Sequence, residues 1–344
     1  MRRRRAWLTG LFLLGALGAS LLASLLIGAT PLPISAFWEA VRGRGDDTVR
    51  LILWELRLPR VLLAALVGGT LGCVGCAFQG LLRNPLADPY IIGVSSGAAV
   101  GAAVGALLGW HQHGYGWAVS LLAFLSGLLT LGLTMALSRQ NGQLRIPSFL
   151  LVGVSISTSL WGVITLLLVL AGEDLSRVLY WLLGGLLNAD WQRLEWASVP
   201  ALMGCGALLL QARALNLYTA GEETATHLGV PVERMKWITL LGGALATAAT
   251  VAVAGIIGFV GWITPHLLRR AVGGDYRMLI PLSALGGAVL LVWADTLART
   301  LARPVELPVG VITALVGAPL FVWVMRRESR APSIAPHARR SRYP

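Results

Sequence analysis

The sequence predicts an all-α, polytopic membrane protein of about ten transmembrane helices, and three observations carry the prediction. Hydrophobic residues make up 56% of the 344 and charged residues only 13%, against about 25% in soluble domains. Apolar runs of roughly 20 residues, enough to cross a bilayer, recur from one end to the other. The net charge of +12 comes from arginines clustered in alternate connecting segments, the signature of basic loops retained on one membrane side. That basicity therefore reads as topology and not as nucleic-acid binding. Residues 1–344 form a single transmembrane domain.

In chain order, the Met1-Arg2-Arg3-Arg4-Arg5 start and the apolar run 7–28 look like a signal peptide, but no small-residue cleavage site precedes a soluble domain. The run reads as a retained first span. A second span covers 58–81 and contains Cys73 and Cys76; one C-x-x-C inside an apolar helix, with one further cysteine in the chain, suits packing better than zinc. Pro85 and Pro89 then force a non-helical turn through Asn84-Pro85-Leu86-Ala87-Asp88-Pro89. The third span, 90–109, carries Gly93, Gly97, Gly101, Gly105 and Gly109 at every fourth position, a stripe along which another helix can approach closely. Spans at 116–138, 148–171 and 191–211 follow, then a polar island at 212–236, then a span at 237–257. The eighth, near 259–268, is interrupted by Gly258, Gly261 and Pro265, and such a break is tolerated only where protein or a cavity covers it. Spans at 280–300 and 308–325 complete the set.

Charge orients the bundle. Arg2 to Arg5 place the N-terminal tail, 1–6, in the cytoplasm, and an even number of spans returns the basic tail 326–344 to the same side. Arg139, Arg145, Arg213, Arg234, Lys236, Arg269, Arg270 and Arg277 then also lie inside, and so does the island. Within it, Thr219 and Glu222 have capping-box spacing, which predicts a short helix beginning at Thr219. Gly229 and Pro231 end that helix and start the next. A short helical turn between two spans suits the docking of a soluble partner.

Several chemistries are excluded. The chain has one lysine, Lys236, and no glycine-rich loop before it, so it lacks the P-loop route to ATP hydrolysis. Gly93-Val94-Ser95-Ser96-Gly97 matches G-x-S-x-G but opens a membrane helix and not a strand-to-helix elbow. His111 and His113 share a short external loop without further ligands, and His266 reads as structural. A carrier driven by protons or sodium needs an acid in mid-membrane. Asp295 is the best candidate, and with Arg299 one turn on it reads as a local ion pair. Arg57-Leu58-Pro59-Arg60, with Arg299 and Arg303, puts basic residues on the outer face against the general trend and suggests a patch for an acidic external partner.

Taken together, Arg57-Leu58-Pro59-Arg60, Gln79 through Pro89, Gly93-Val94-Ser95-Ser96-Gly97-Ala98, Gly221-Glu222-Glu223 through Leu228-Gly229-Val230, Gly255 through Pro265-His266, and Glu306-Leu307-Pro308-Val309-Gly310 resemble the FecCD family. These are the membrane subunits of ABC importers for iron chelates, haem and cobalamin. The resemblance runs through nearly the whole chain, in order. It implies type II ABC importer permease architecture in the inner or plasma membrane. It implies a homodimer with two cytoplasmic ATPase subunits below and an external substrate-binding protein above. ATP and Mg are then used by the partner ATPase, and this chain binds no cofactor or metal and performs no catalysis. The resemblance implies that Thr219, Gly221, Glu222, Glu223, Leu228, Gly229 and Val230 belong to coupling helices within 212–236. It implies that Arg57, Arg60 and Arg299 pair with the binding protein, and that Asn84, Pro85, Leu86, Ile146 and Pro147 narrow the inner end of the path. An iron-siderophore-type chelate is the expected cargo, with haem or cobalamin as alternatives and an ion-coupled secondary carrier as the competing class.

Overall fold

The structure, a computed structural model, describes residues 2–28, 33–44, 46–110 and 116–329. His111, His113 and most of the C-terminal tail lie outside them. The helices are α1 (Arg2–Leu26), α2 (Ile34–Val41), α3 (Asp47–Leu51), α4 (Leu58–Leu81), α5 (Val94–Leu107), α6 (Gly116–Leu137) and α7 (Ile146–Leu170). They continue with α8 (Leu175–Leu182), α9 (Trp191–Thr219), α10 (Glu222–His227), α11 (Val232–Ala254), α12 (Val260–Val272), α13 (Tyr276–Ala298) and α14 (Val309–Ser329). A two-residue antiparallel hairpin, β1 (Arg139–Gln140) and β2 (Gln143–Leu144), joins α6 to α7.

Among the described residues, seven helices are long and apolar enough to cross a membrane by length and composition. The shorter apolar helices Val94–Leu107 and Val309–Trp323, with the interrupted α12, occupy the remaining three expected positions. α4 and α11 are buried over most of their length and form the centre, packed on α13 and α9. α1 and α7 are buried over little of theirs.

Close backbone approaches knit this core. A Cβ at Gly68, Gly72 or Gly75 of α4 would stand 2.3 Å from the Gly287 carbonyl oxygen, 2.1 Å from that of Ser283 and 1.8 Å from that of Gly261. With no lipid-excluding hydrophobic force between membrane helices, van der Waals contact at this range is what holds them.

Two elements differ from expectation. The second span begins well before residue 58, because α3, a π-helical turn at Ile52–Arg57 and α4 form one continuous helix, Asp47–Leu81. The third span is only α5, 14 residues or about 21 Å, short of the roughly 30 Å apolar thickness. Its missing length is a 3-10 turn, Pro89–Ile92, that doubles back beside the middle of α4: a Cβ at Gly261 would lie 2.6 Å from Pro89 Cδ and 2.9 Å from the Leu71 carbonyl oxygen. Irregular backbone at such depth must find partners within the protein. The Tyr90 hydroxyl supplies them, donating to the Ile257 carbonyl and accepting from the Ile257 amide, both at 3.1 Å, within the break between α11 and α12. The Gly185 amide donates to the Ala254 carbonyl at 2.8 Å and completes the cover.

Candidate functional site

The connecting segments gather at two ends of the bundle, here called the α10 end and the α8 end. The α10 end is assembled around the polar island. α9 has 29 residues, about 43 Å, so it outruns an apolar layer of roughly 30 Å by two turns or more. Thr219 is its last residue and donates its hydroxyl to the Asn216 carbonyl at 2.9 Å. The expected capping box is therefore corrected: α10 begins at Glu222, with Gly221 before it and no side-chain cap. Glu222 cannot reach back to close such a box, because its carboxylate accepts from the Lys236 ammonium at 2.7 Å. Gly221, at φ +140°, turns the chain out of α9, a conformation open to glycine alone. Beyond α10, the Val230 amide returns to the Ala225 carbonyl and the Gly229 amide to that of Thr226, the double closure of a Schellman motif. Glu223 and Leu228 stay exposed on this turn.

Three neighbours are tied to the island. Arg83, just past α4, donates to the Tyr218 carbonyl at 2.7 Å, and its guanidinium lies 4.1 Å over the Tyr218 ring. Lys236 donates to the Leu144 carbonyl at 3.2 Å, and Glu233 accepts from the Leu144 amide at 3.0 Å, which fastens the β1–β2 hairpin to α11. The Asn216 amide donates to Asp275, the cap of α13, at 2.6 Å. Burial pushes the Asp275 carboxyl up, but the Asn216 and Arg277 donors outweigh it and hold the group below the usual carboxylate range.

At the α8 end, Arg57 and Arg299, expected to pair with a binding protein, are buried, and Arg60 is half-buried; all three are engaged with groups of this chain. Arg57 is 5% exposed and donates to the carbonyls of Leu25 and Leu26 at 2.7 and 3.1 Å. Arg299 is 3% exposed and donates to the Ser24 carbonyl at 2.7 Å; Arg303 donates to that of Gly28. A helix C-terminus leaves its last carbonyls unpaired and partially negative, and the three guanidiniums supply the missing donors for α1. Arg60 grips Asp295 with two nitrogens, at 2.9 and 3.0 Å, and donates to Glu306 at 2.8 Å. The expected Arg299–Asp295 pair is the looser one at 3.4 Å. An incoming carboxylate would have to displace these buried partners. Exposed arginines at this end include Arg42, Arg44 and Arg50, beside α2 and α3, Arg177 on α8, and Arg303.

The expected narrowing residues are placed but not brought together within one chain. Asn84 accepts from the Leu86 amide at 2.9 Å, forming an Asx turn in which Asn84 and Pro85 are exposed. Leu86 packs with Trp262, Ile263 and Phe259. Ile146 joins the main core instead, with Pro147 opening α7. On the glycine stripe, Gly97, Gly101 and Gly105 meet α6, whereas Gly93 and Gly109 sit at the left-handed ends of α5. Ser95 and Ser96 are buried at the head of that helix, and the Ser96 hydroxyl donates to the Gly93 carbonyl at 2.9 Å. His266 is buried against Trp262, ring centres 5.4 Å apart.

One feature passed unremarked in the sequence. α7 exposes Ser155, Thr158, Gly162 and Thr165 on one face at helical spacing, with Leu151 and Val169 extending the row. The hydroxyls donate to their own helix, Ser155 to Leu151, Thr158 to Val154 and Thr165 to Trp161, at 2.9 to 3.0 Å. Among the described residues, no other helix covers the face on which their lone pairs lie. A period-3.6 count of Ser, Thr and Gly in 148–171 would have found it.

The sequence model of the FecCD transport family matches residues 16–327. The cobalamin import permease BtuC of Halobacterium salinarum is 44% identical over 286 residues, covering 83% of this chain and 76% of the relative. The hemin transport permease HmuU of Yersinia pestis is 41% identical over 326 residues, covering 92% and 95%. Among solved structures, a metal-chelate type ABC transporter in an inward-facing conformation superimposes with a TM-score of 0.83 at 31% identity, over 92% of this chain and 98% of that one.

Proposed function

The chain belongs to the FecCD transport family of ABC importer permeases, in which ATP is hydrolysed on a separate subunit, and from that premise we propose that two copies move a bulky metal chelate along a path lined by α7. The hydroxyl-bearing face of α7 is the observation that carries the reading. A lipid-facing stripe has no use for Ser155, Thr158 and Thr165, whereas a wet path or a second copy gives their lone pairs partners. The turns at Asn84–Leu86 and Ile146–Pro147 enter different clusters of one chain, so a constriction built from both draws on two copies.

In this reading the α10 end faces the cytoplasm with both termini, and α10 with its flanking glycines receives the ATPase stroke. Nucleotide-driven movement of the ATPases then parts the two halves as rigid bodies. An external binding protein delivers cargo at the α8 end. The cargo is an iron chelate of the siderophore type. A second reading, a corrin or porphyrin macrocycle, is favoured by the names of the BtuC and HmuU relatives.

Reconstitution tests the proposal. The permease should co-purify with a soluble ATPase subunit. Uptake of ferric chelate into ATP-loaded proteoliposomes should stop with vanadate and survive an uncoupler. Uptake that persists under vanadate and collapses with the uncoupler would overturn it, and parallel arms with hemin and cobalamin decide the cargo.

A further inference from the structure

We propose that Lys236 is a positioning residue that locks α10 and the β1–β2 hairpin into one body, so that a push on α10 reaches α7 directly. This rests on the coupling role proposed for α10. Lys236 is the single lysine of the chain and is 3% exposed in the first turns of α11. Its ammonium has three donors. One goes to Glu222 at 2.7 Å, the first residue of α10; one to Glu233 at 2.9 Å; and one to the Leu144 carbonyl at 3.2 Å. The second oxygen of Glu233 takes the Leu144 amide at 3.0 Å. Both backbone groups of Leu144 are thereby held from α11, one residue before the cap of α7.

The consequences follow from what else supports the hairpin. Two residues per strand, paired Arg139 to Leu144 and Gln140 to Gln143, are too few to fix its direction alone. The Leu144 side chain is buried in the main core, so the anchor is packed as well as bonded. α10 has six residues, too short to be stable by its own hydrogen bonds, and its first residue is held by the same ammonium. A displacement of α10 that keeps Lys236 paired therefore carries Leu144 with it. Leu144 leads through Arg145 into α7, the helix with the open hydroxyl face. Arginine could keep both carboxylates, whereas methionine matches the length and removes every donor.

The test uses the full transporter, permease with its ATPase and binding protein in proteoliposomes, and reads ATP hydrolysed per chelate imported. Lys236→Met should raise that ratio by about tenfold while the ATPase stays bound, and Lys236→Arg should restore most of the coupling. Spin labels at Gln140 and Glu223 supply a readout that mere stability does not move. The label–label distance should be narrow and unchanged by nucleotide in the wild type and broad in Lys236→Met. Should Lys236→Met fail to assemble, Glu222→Gln with Glu233→Gln weakens the same lock and should give the same two effects. Unchanged coupling with an unchanged narrow distance in either variant would overturn the inference and leave the permease reading intact. A wild type without an ATPase partner would overturn both.

Discussion

Arg60 shows how charge is used here. It sits in the first turn of α4, and burying a guanidinium without partners would cost several kcal/mol. Asp295 and Glu306, 235 and 246 residues away in sequence, neutralise it from two further elements. Arg57 and Arg299 close the end of α1, and Arg60 joins α4 to α13 and to the approach to α14. Asp295→Asn should lower the stability of the isolated permease in detergent by about 3 kcal/mol, because it takes the carboxylate from buried Arg299 and leaves Arg60 with Glu306 alone. Thermal unfolding without any partner present checks this. An unchanged melting temperature, with weaker capture of a binding protein by Arg60→Glu, would return these arginines to a docking role.

At the scale of elements, close contact between α5 and α6 is the clearest dependence on single atoms. A Cβ at Gly101 would stand 2.6 Å from the Leu122 carbonyl oxygen, and a backbone atom cannot swing aside. Gly101→Leu should cost about 1–3 kcal/mol or more in unfolding, whereas Gly132→Leu, on an open face of α6 with nothing within 4 Å, should be near neutral. Equal melting temperatures for the two variants would contradict the packing. Much of this level was legible. The ten spans, the interruption before α12 and the glycines at 221 and 229 announce themselves through composition and local conformation. What was hidden depends on partners far along the chain. The Thr219–Glu222 spacing is that of a capping box, but Lys236 claims the glutamate. The third span is apolar for long enough to cross, but Tyr90 is needed at the break beside Ile257, so the chain enters the bundle as a turn. The arginines at 57 and 60 look like a surface because nothing local reveals Leu25, Leu26 or Asp295 as their acceptors.

The whole molecule is a half-object in one respect. Its central helices α4 and α11 are enclosed, yet α7 presents hydroxyls and a glycine outward. Lipid, a second copy and an aqueous path are the three candidate neighbours of that face, and the proposed function puts there the path between two copies. Thiol chemistry separates them, since a thiol must ionise to react and ionisation requires water. In a background with Cys205 replaced by alanine, Thr158→Cys in the assembled transporter should react with a charged methanethiosulfonate about tenfold faster than Leu210→Cys, at a position on α9 where the leucine is 83% exposed. The modification should also stop vanadate-sensitive chelate uptake. Equal, slow reaction at both positions with uptake intact would place α7 against lipid and contradict the account.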